Sequence, residues 1–124
     1  MHSMSYRKLE VWNKSIELVI AIYKLTKFLP PEEKFGLVSQ IQRSAVSVAA
    51  NIAEGYGRST RGEYLQFLSI ANGSLKETET LLTILVKVGL VSREQALEGW
   101  EQTQETGKRL TRLILSLKQS KPAK

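Results

Sequence analysis

The chain has 124 residues, a formal net charge of +6, no cysteine and no aspartate. That length supports one core rather than two. The missing thiols exclude disulfides, thiolate metal sites and a cysteine nucleophile, and the basic excess favours polyanionic partners. No run approaches the roughly 18 apolar residues of a membrane span, and no N-terminal stretch has the form of a signal peptide. A cytoplasmic protein with no membrane contact is expected.

One domain is expected over residues 6–118, with residues 1–5 and 119–124 as flexible ends. The first helix should run from about Arg7 to Phe28. Leu9, Trp12, Ile16, Val19 and Tyr23 recur at helical spacing and form its expected core stripe. A second apolar stripe, Val11, Leu18, Ile22 and Leu25, leaves little polar face, so it is read as surface covered by something outside the bundle. Pro30-Pro31 stops this helix, because proline cannot continue it and restrains the residue before.

The second helix follows the prolines, with Glu32 and Glu33 suited to a first turn and Gly36 able to split that turn off. Val38, Ile41, Ala45, Val48 and Ile52 give its buried face, and the small residues Ser44, Ser47, Ala49, Ala50 and Ala53 let neighbours come close. A polar line of Arg43, Ser47, Asn51, Glu54 and Arg58 lies beside that face, and buried members of such a line need partners. Ser47, Asn51 and Glu54 are read as a structural polar network. Gly55 and Gly57 are expected to supply positive-φ positions that end the helix.

Thr60-Arg61-Gly62-Glu63 reads as a capping box opening the third helix. Its core stripe is Tyr64, Leu68, Ala71, Leu75, Thr78, Leu82 and Leu85. Phe67, Ile70, Ser74, Leu81, Ile84 and Val88 form a second stripe. Gly73 in mid-helix implies a backbone passing close by, and Gly89 reads as the C-terminal cap. Ser92 and Gln95 open the fourth helix with capping-box spacing, and its stripe is Ala96, Trp100, Thr103, Gly107, Leu110, Ile114 and Leu117. Four long helices with short connections define an all-α, up-down-up-down antiparallel four-helix bundle. The doubled stripes on the first and third helices point to self-association through Val11, Leu18, Ile22, Leu25, Phe67, Ile70, Leu81 and Ile84.

Catalytic chemistry has little to work with. His2 is the only histidine and sits at the terminus. No Glu-x-x-His pair is present to build a di-metal centre, and Ser44, Ser47 and Ser74 have no base to activate them. Glu54 is better read as a cap or an ion-pair partner than as an acid catalyst, since no second titratable group accompanies it. No enzyme activity, cofactor or metal is expected. Arg58 and Arg61 flank the start of the third helix, where free amides favour anions, and a tight turn whose arginines answer Glu54 and Glu63 is the alternative. Lys108, Arg109 and Arg112 form a second basic group on the fourth helix. With Arg43 these six are the candidate phosphate contacts. Trp12 and Trp100 lie on core stripes and are read as core rather than as platforms for bases.

Leu9-Glu10-Val11-Trp12, Gly36-Leu37-Val38-Ser39-Gln40-Ile41, Asn51-Ile52-Ala53-Glu54-Gly55-Tyr56-Gly57-Arg58 and Phe67-Leu68-Ser69-Ile70-Ala71-Asn72-Gly73-Ser74 resemble the "four helix bundle protein" family. These are bacterial proteins encoded in 23S ribosomal RNA intervening sequences. The likeness covers nearly all of Tyr6 to Leu117. That family is similar to the accessory variability protein of diversity-generating retroelements, a basic homopentamer that binds nucleic acid and the reverse transcriptase. The resemblance implies a four-helix bundle assembled as a homopentamer. It implies nucleic acid, RNA or DNA, as a partner, and a reverse transcriptase as a possible protein partner. One departure is Gln42, where family members often carry a basic residue before Arg43. The function expected is therefore a non-enzymatic, oligomeric nucleic-acid-binding protein that contacts phosphates without reading sequence. A protein-binding adaptor is the alternative.

Overall fold

The third and fourth helices in this chain start where a side chain satisfies free backbone amides. The computed structural model describes residues 5–119. They form α1 (Glu10–Thr26), α2 (Leu37–Tyr56), α3 (Arg61–Lys87) and α4 (Arg93–Gln119), with 3-10 turns at Tyr6–Lys8 and Pro31–Glu33. Of the ends expected to be flexible, Ser5 and Gln119 are described and the other residues lie outside the described range. Ser5 Oγ accepts from Arg7 N at 3.1 Å to cap the first turn, and Gln119 is the last residue of α4.

The Ser92–Gln95 capping box is complete, with Gln95 N donating to Ser92 Oγ and Ser92 N to Gln95 Oε1, both at 2.9 Å. At α3 the Thr60 Oγ1 accepts from Glu63 N at 3.1 Å. Gly36 does split off the opening turn: α2 begins without a side-chain N-cap, and Glu33 Oε1 reaches forward to accept from Leu37 N at 3.3 Å. Gly89, at φ +82°, ends α3 as expected. Leu90 N donates to Leu85 O and Gly89 N to Val86 O, the paired bonds of a Schellman ending. Gly55 and Gly57 do not follow the expectation. Among the described residues only Gly89 has a positive φ; Gly55 lies within the last turn of α2 and Gly57 is its C-cap at φ −80°.

Each helix packs on two neighbours, α1 on α2, α2 on α3, α3 on α4 and α4 back on α1, while diagonal pairs do not meet. Every seam is antiparallel. Gln42 Nε2 donates to Thr26 Oγ1 across α1–α2, and Ser44 and Thr78 hydroxyls bond at 2.8 Å across α2–α3. Gln104 reaches Glu79 across α3–α4, and Arg109 binds Glu10 across α1–α4. This is the expected all-α four-helix bundle.

The core corrects the face assigned to the first helix. Val11, Leu18, Ile22 and Leu25 are buried within this single chain. So is Leu81 of α3. These five cannot form an outer interface. The stripe expected inside is the outer one: Trp12, Ile16 and Val19 are half-buried and Tyr23 is exposed. The two stripes are about equally apolar, and side-chain shape decides between them. Aliphatic side chains interleaved with Ser15 and Ala21 fill a narrow interior, whereas Trp and Tyr keep a polar atom near water. α4 keeps its expected face at Ala96, Thr103 and Leu110, with Ile114 and Leu117 packed against the core, but not at Trp100. Ala96, Gly99, Thr103, Thr106 and Leu110 point inward and Trp100 stands 41% exposed.

The glycines show how the helices approach. A Cβ on Gly55 would meet Phe67 Cβ at 2.8 Å, so α2 and α3 touch there almost backbone to side-chain root. Gly99 and Gly107 receive Ile22, Leu82 and Leu75 methyls at 3.4–3.6 Å. Gly73 has nothing within 4 Å, which overturns the expected close backbone.

Candidate nucleic-acid interface

The polar line read on α2 separates into two parts. Asn51 Nδ2 donates to Ser47 O at 2.8 Å and to Ser47 Oγ at 3.0 Å, and the Ser47 and Ser74 hydroxyls bond at 2.8 Å. Together with Ser44–Thr78 they tie α2 to α3. Glu54 stands apart from this ladder. Its carboxylate is exposed and bound by Arg58, one turn on. Arg43 is exposed on the outer side of α2 and joins neither part.

Of the six basic candidates, three serve the fold. The Arg58 guanidinium pairs with Glu54 and lies 4.5 Å from the Phe67 ring centroid. Arg61 is half-buried and donates from Nη1 to Leu117 O at 3.1 Å, placing a cation on the carbonyl end of α4. Arg109 binds Glu10 at 2.9 Å and approaches Glu105 at 3.7 Å, with a side chain only 26% exposed. These contacts link residues up to 99 positions apart. The tight-turn reading of Arg58 therefore holds for Glu54, while Arg61 reaches the carbonyl end of α4.

The other cations face water. Arg43 and Arg112 make no ion pair among the described residues, and Lys108 has only a 3.8 Å approach to Glu105. Arg112 and Lys108 line a groove of about 360 Å³ on the α3–α4 seam, facing Lys76 and Asn72 of α3, with Gln104 and Thr111 supplying further polar groups. Glu79 is its one acid, held by Lys76 and Gln104 at 3.4 Å each. Sequence reasoning did not single out Lys76. The signal lies in the antiparallel register, which sets α3 residues near 76 against α4 residues near 104–108.

Tyr64 of α3 meets Tyr56 edge-on, with ring centroids 6.0 Å apart. Burial, and secondarily Tyr56, push its phenol up to about 12. Among the described residues no three His, Cys, Asp or Glu side chains are grouped to hold a metal. No described helix is long and apolar enough to cross a membrane.

Four antiparallel helices around an aliphatic core define a small all-α bundle protein. The chain belongs to the 23S rRNA-intervening sequence protein family, whose model matches residues 7–112. It is similar to a solved protein of unknown function from the S23 ribosomal protein family of Bacteroides thetaiotaomicron. Identity is 35%, covering 84% of this chain and 97% of that one, with a TM-score of 0.77. No curated protein matches the chain.

Proposed function

We propose that this protein is a non-enzymatic, oligomeric nucleic-acid-binding protein of the cytoplasm that grips phosphates through lysine and arginine without reading sequence. The observation that carries the reading is the α3–α4 groove, where Lys76, Lys108 and Arg112 converge with one acid among them. A net charge of +6 adds long-range attraction. Arg43 is a further free cation on α2. Arg58, Arg61 and Arg109 act through the fold, holding the elements that present the others.

Copies join, in this proposal, through apolar residues that one chain leaves wet. On α1 these are Ile20 and Tyr23; on α3 they are Ile70 and Ile84, with Phe67 at their edge. The number five comes from the resemblance alone. Joining copies multiplies a modest groove into a high-avidity surface. Titration of RNA and duplex DNA at several salt concentrations tests binding. Log affinity should fall with log salt by about 0.9 per phosphate neutralised on duplex and about 0.7 on single strands. No binding at low salt, or a flat response, refutes it. Mass measurement in solution tests assembly, and a monomer at all concentrations refutes that part.

The same wet apolar residues favour a second reading, an adaptor that docks a polymerase such as a reverse transcriptase. Binding of a purified reverse transcriptase that survives nuclease treatment, in the absence of any affinity for free nucleic acid, would select it.

A further inference from the structure

A second, differently built groove lies on the same α3–α4 seam. Toward the start of α4 the seam opens to about 610 Å³, lined by Leu82 and Val86 of α3 and by Leu97 and Trp100 of α4, with Lys87 and Arg93 on its rims. Trp100 lines this opening with 41% of its surface exposed. Its neighbours Gly99 and Thr103 are buried, whereas Trp100 keeps much of its surface open to the groove. Across both stretches the cations are Lys76, Lys87, Arg93, Lys108 and Arg112, and the only acid is Glu79, already held by Lys76 and Gln104. Lys87 and Arg93 make no ion pair among the described residues.

Five cations, of which Lys76 pairs with Glu79 and Lys108 approaches Glu105 while Lys87, Arg93 and Arg112 have no ion-pair partner among the described residues, flank an aromatic face and match a polyanion that also offers flat apolar rings. Duplexes present phosphates but keep their bases stacked inside, leaving nothing for an indole to meet. Unpaired strands present both, and base–aromatic stacking is tolerant of sequence. Arg93 and Arg112 are separated by about 28 Å along α4 at 1.5 Å per residue, with Trp100 between them. That length accommodates a short run of about four nucleotides, the lower end of known single-strand sites.

We propose that the α3–α4 seam takes a single strand of nucleic acid, with a base stacked on the Trp100 indole and flanking phosphates on Lys87 and Arg93 at one side and on Lys76, Lys108 and Arg112 at the other. This rests on the reading of the chain as a nucleic-acid binder and adds to it the kind of strand and the side chain that distinguishes it.

The test uses the full chain with Trp12→Phe, which leaves Trp100 as the sole indole. Oligo-dT, oligo-rU and a duplex of equal length are titrated while tryptophan fluorescence and anisotropy of labelled strands are followed. Both single strands should quench Trp100 and the duplex should not. Trp100→Ala should weaken single-strand binding by about fivefold to a hundredfold, as loss of one stacked base does. Duplex binding should change less than twofold, and Trp100→Phe should recover most of the loss. Helical circular dichroism of each variant separates these effects from unfolding, and the Phe variant keeps the test valid if the Ala variant fails to fold. Duplex binding without single-strand quenching, or equal losses on both, overturns this inference while leaving the broader reading intact. Absence of binding to any strand at low salt overturns both. If Trp100→Ala lowers the oligomer mass without changing strand preference, the face belongs to another copy of the chain and the inference fails.

Discussion

Replacing Gly55 by alanine should destabilise the bundle even though the same change in an open helix is favourable. Alanine in place of glycine gains about 1 kcal/mol in a helix interior. Here the new methyl carbon would stand 2.8 Å from Phe67 Cβ, 3.1 Å from Tyr64 Cδ1 and 3.3 Å from Tyr64 O. Carbon pairs prefer about 3.5–4.0 Å. The closest atom is a Cβ, fixed to the α3 backbone, so no rotamer change clears it and the two helices must separate. Overpacking costs about 1–3 kcal/mol, and a contact this short against an atom fixed to the backbone takes the upper end, about 3 kcal/mol. Subtracting the propensity gain of about 1 kcal/mol leaves a net loss of about 2 kcal/mol. For a domain this size that lowers the melting midpoint by roughly 8 °C. Gly73→Ala is the matched control, because nothing lies within 4 Å of its added carbon. It should gain about 1 kcal/mol. Denaturant unfolding of both variants at one protein concentration measures the pair, since any self-association would shift the midpoint with concentration. A Gly55→Ala protein as stable as the parent would refute the close-approach argument.

Three further outcomes are expected. Thr78→Val removes one hydroxyl of the buried Ser44–Thr78 bond and should cost about 1 kcal/mol. In a double-mutant cycle with Ser44→Ala, read by urea unfolding, the two losses should fall short of additive. Tyr64 has a folded-state pKa of about 12 against 10.0 for a free phenol. The unfolded chain therefore loses that proton first, and Tyr64's contribution, complete below pH 10, should be lost as pH rises toward 12. Ultraviolet titration should show a late phenol that disappears in Tyr64→Phe, and that variant should lose less stability over the same interval. Finally, a Lys76→Ala, Lys108→Ala, Arg112→Ala triple variant should reduce the single-strand salt slope by about 2, at about 0.7 per phosphate contact. Arg109→Lys, measured the same way, should leave it unchanged.

The fold could be read from the chain because its boundaries are local. Pro30-Pro31, Thr60 with Glu63, Ser92 with Gln95, and Gly89 each act within a few residues, and each lies where spacing put it. The family motifs agreed. Which way a helix faces is not local. α1 carries two apolar stripes, and only the shape of the space left by α2 and α4 chooses Leu18 and Ile22 over Trp12 and Tyr23. The basic candidates met the same difficulty. Nothing near Arg109 in sequence announces Glu10, and nothing near Arg61 announces the Leu117 carbonyl. Charge count identified cations, but long-range pairing decided which remained available. Lys76 carries no local signal, and its partners on α4 emerge only from register.

Gly99 and Gly107 are two hollows on the inward side of α4, filled by Ile22 and Leu82 and by Leu75 from other helices. There the helix is gripped by its neighbours, while Leu110 anchors it further along. Seam residues such as Lys108 and Arg112, which face water, can consequently be exchanged with little penalty to folding, so the ligand-facing chemistry of this seam is free to drift while the architecture beneath it stays put. Relatives built on the same frame can thus differ in what they hold.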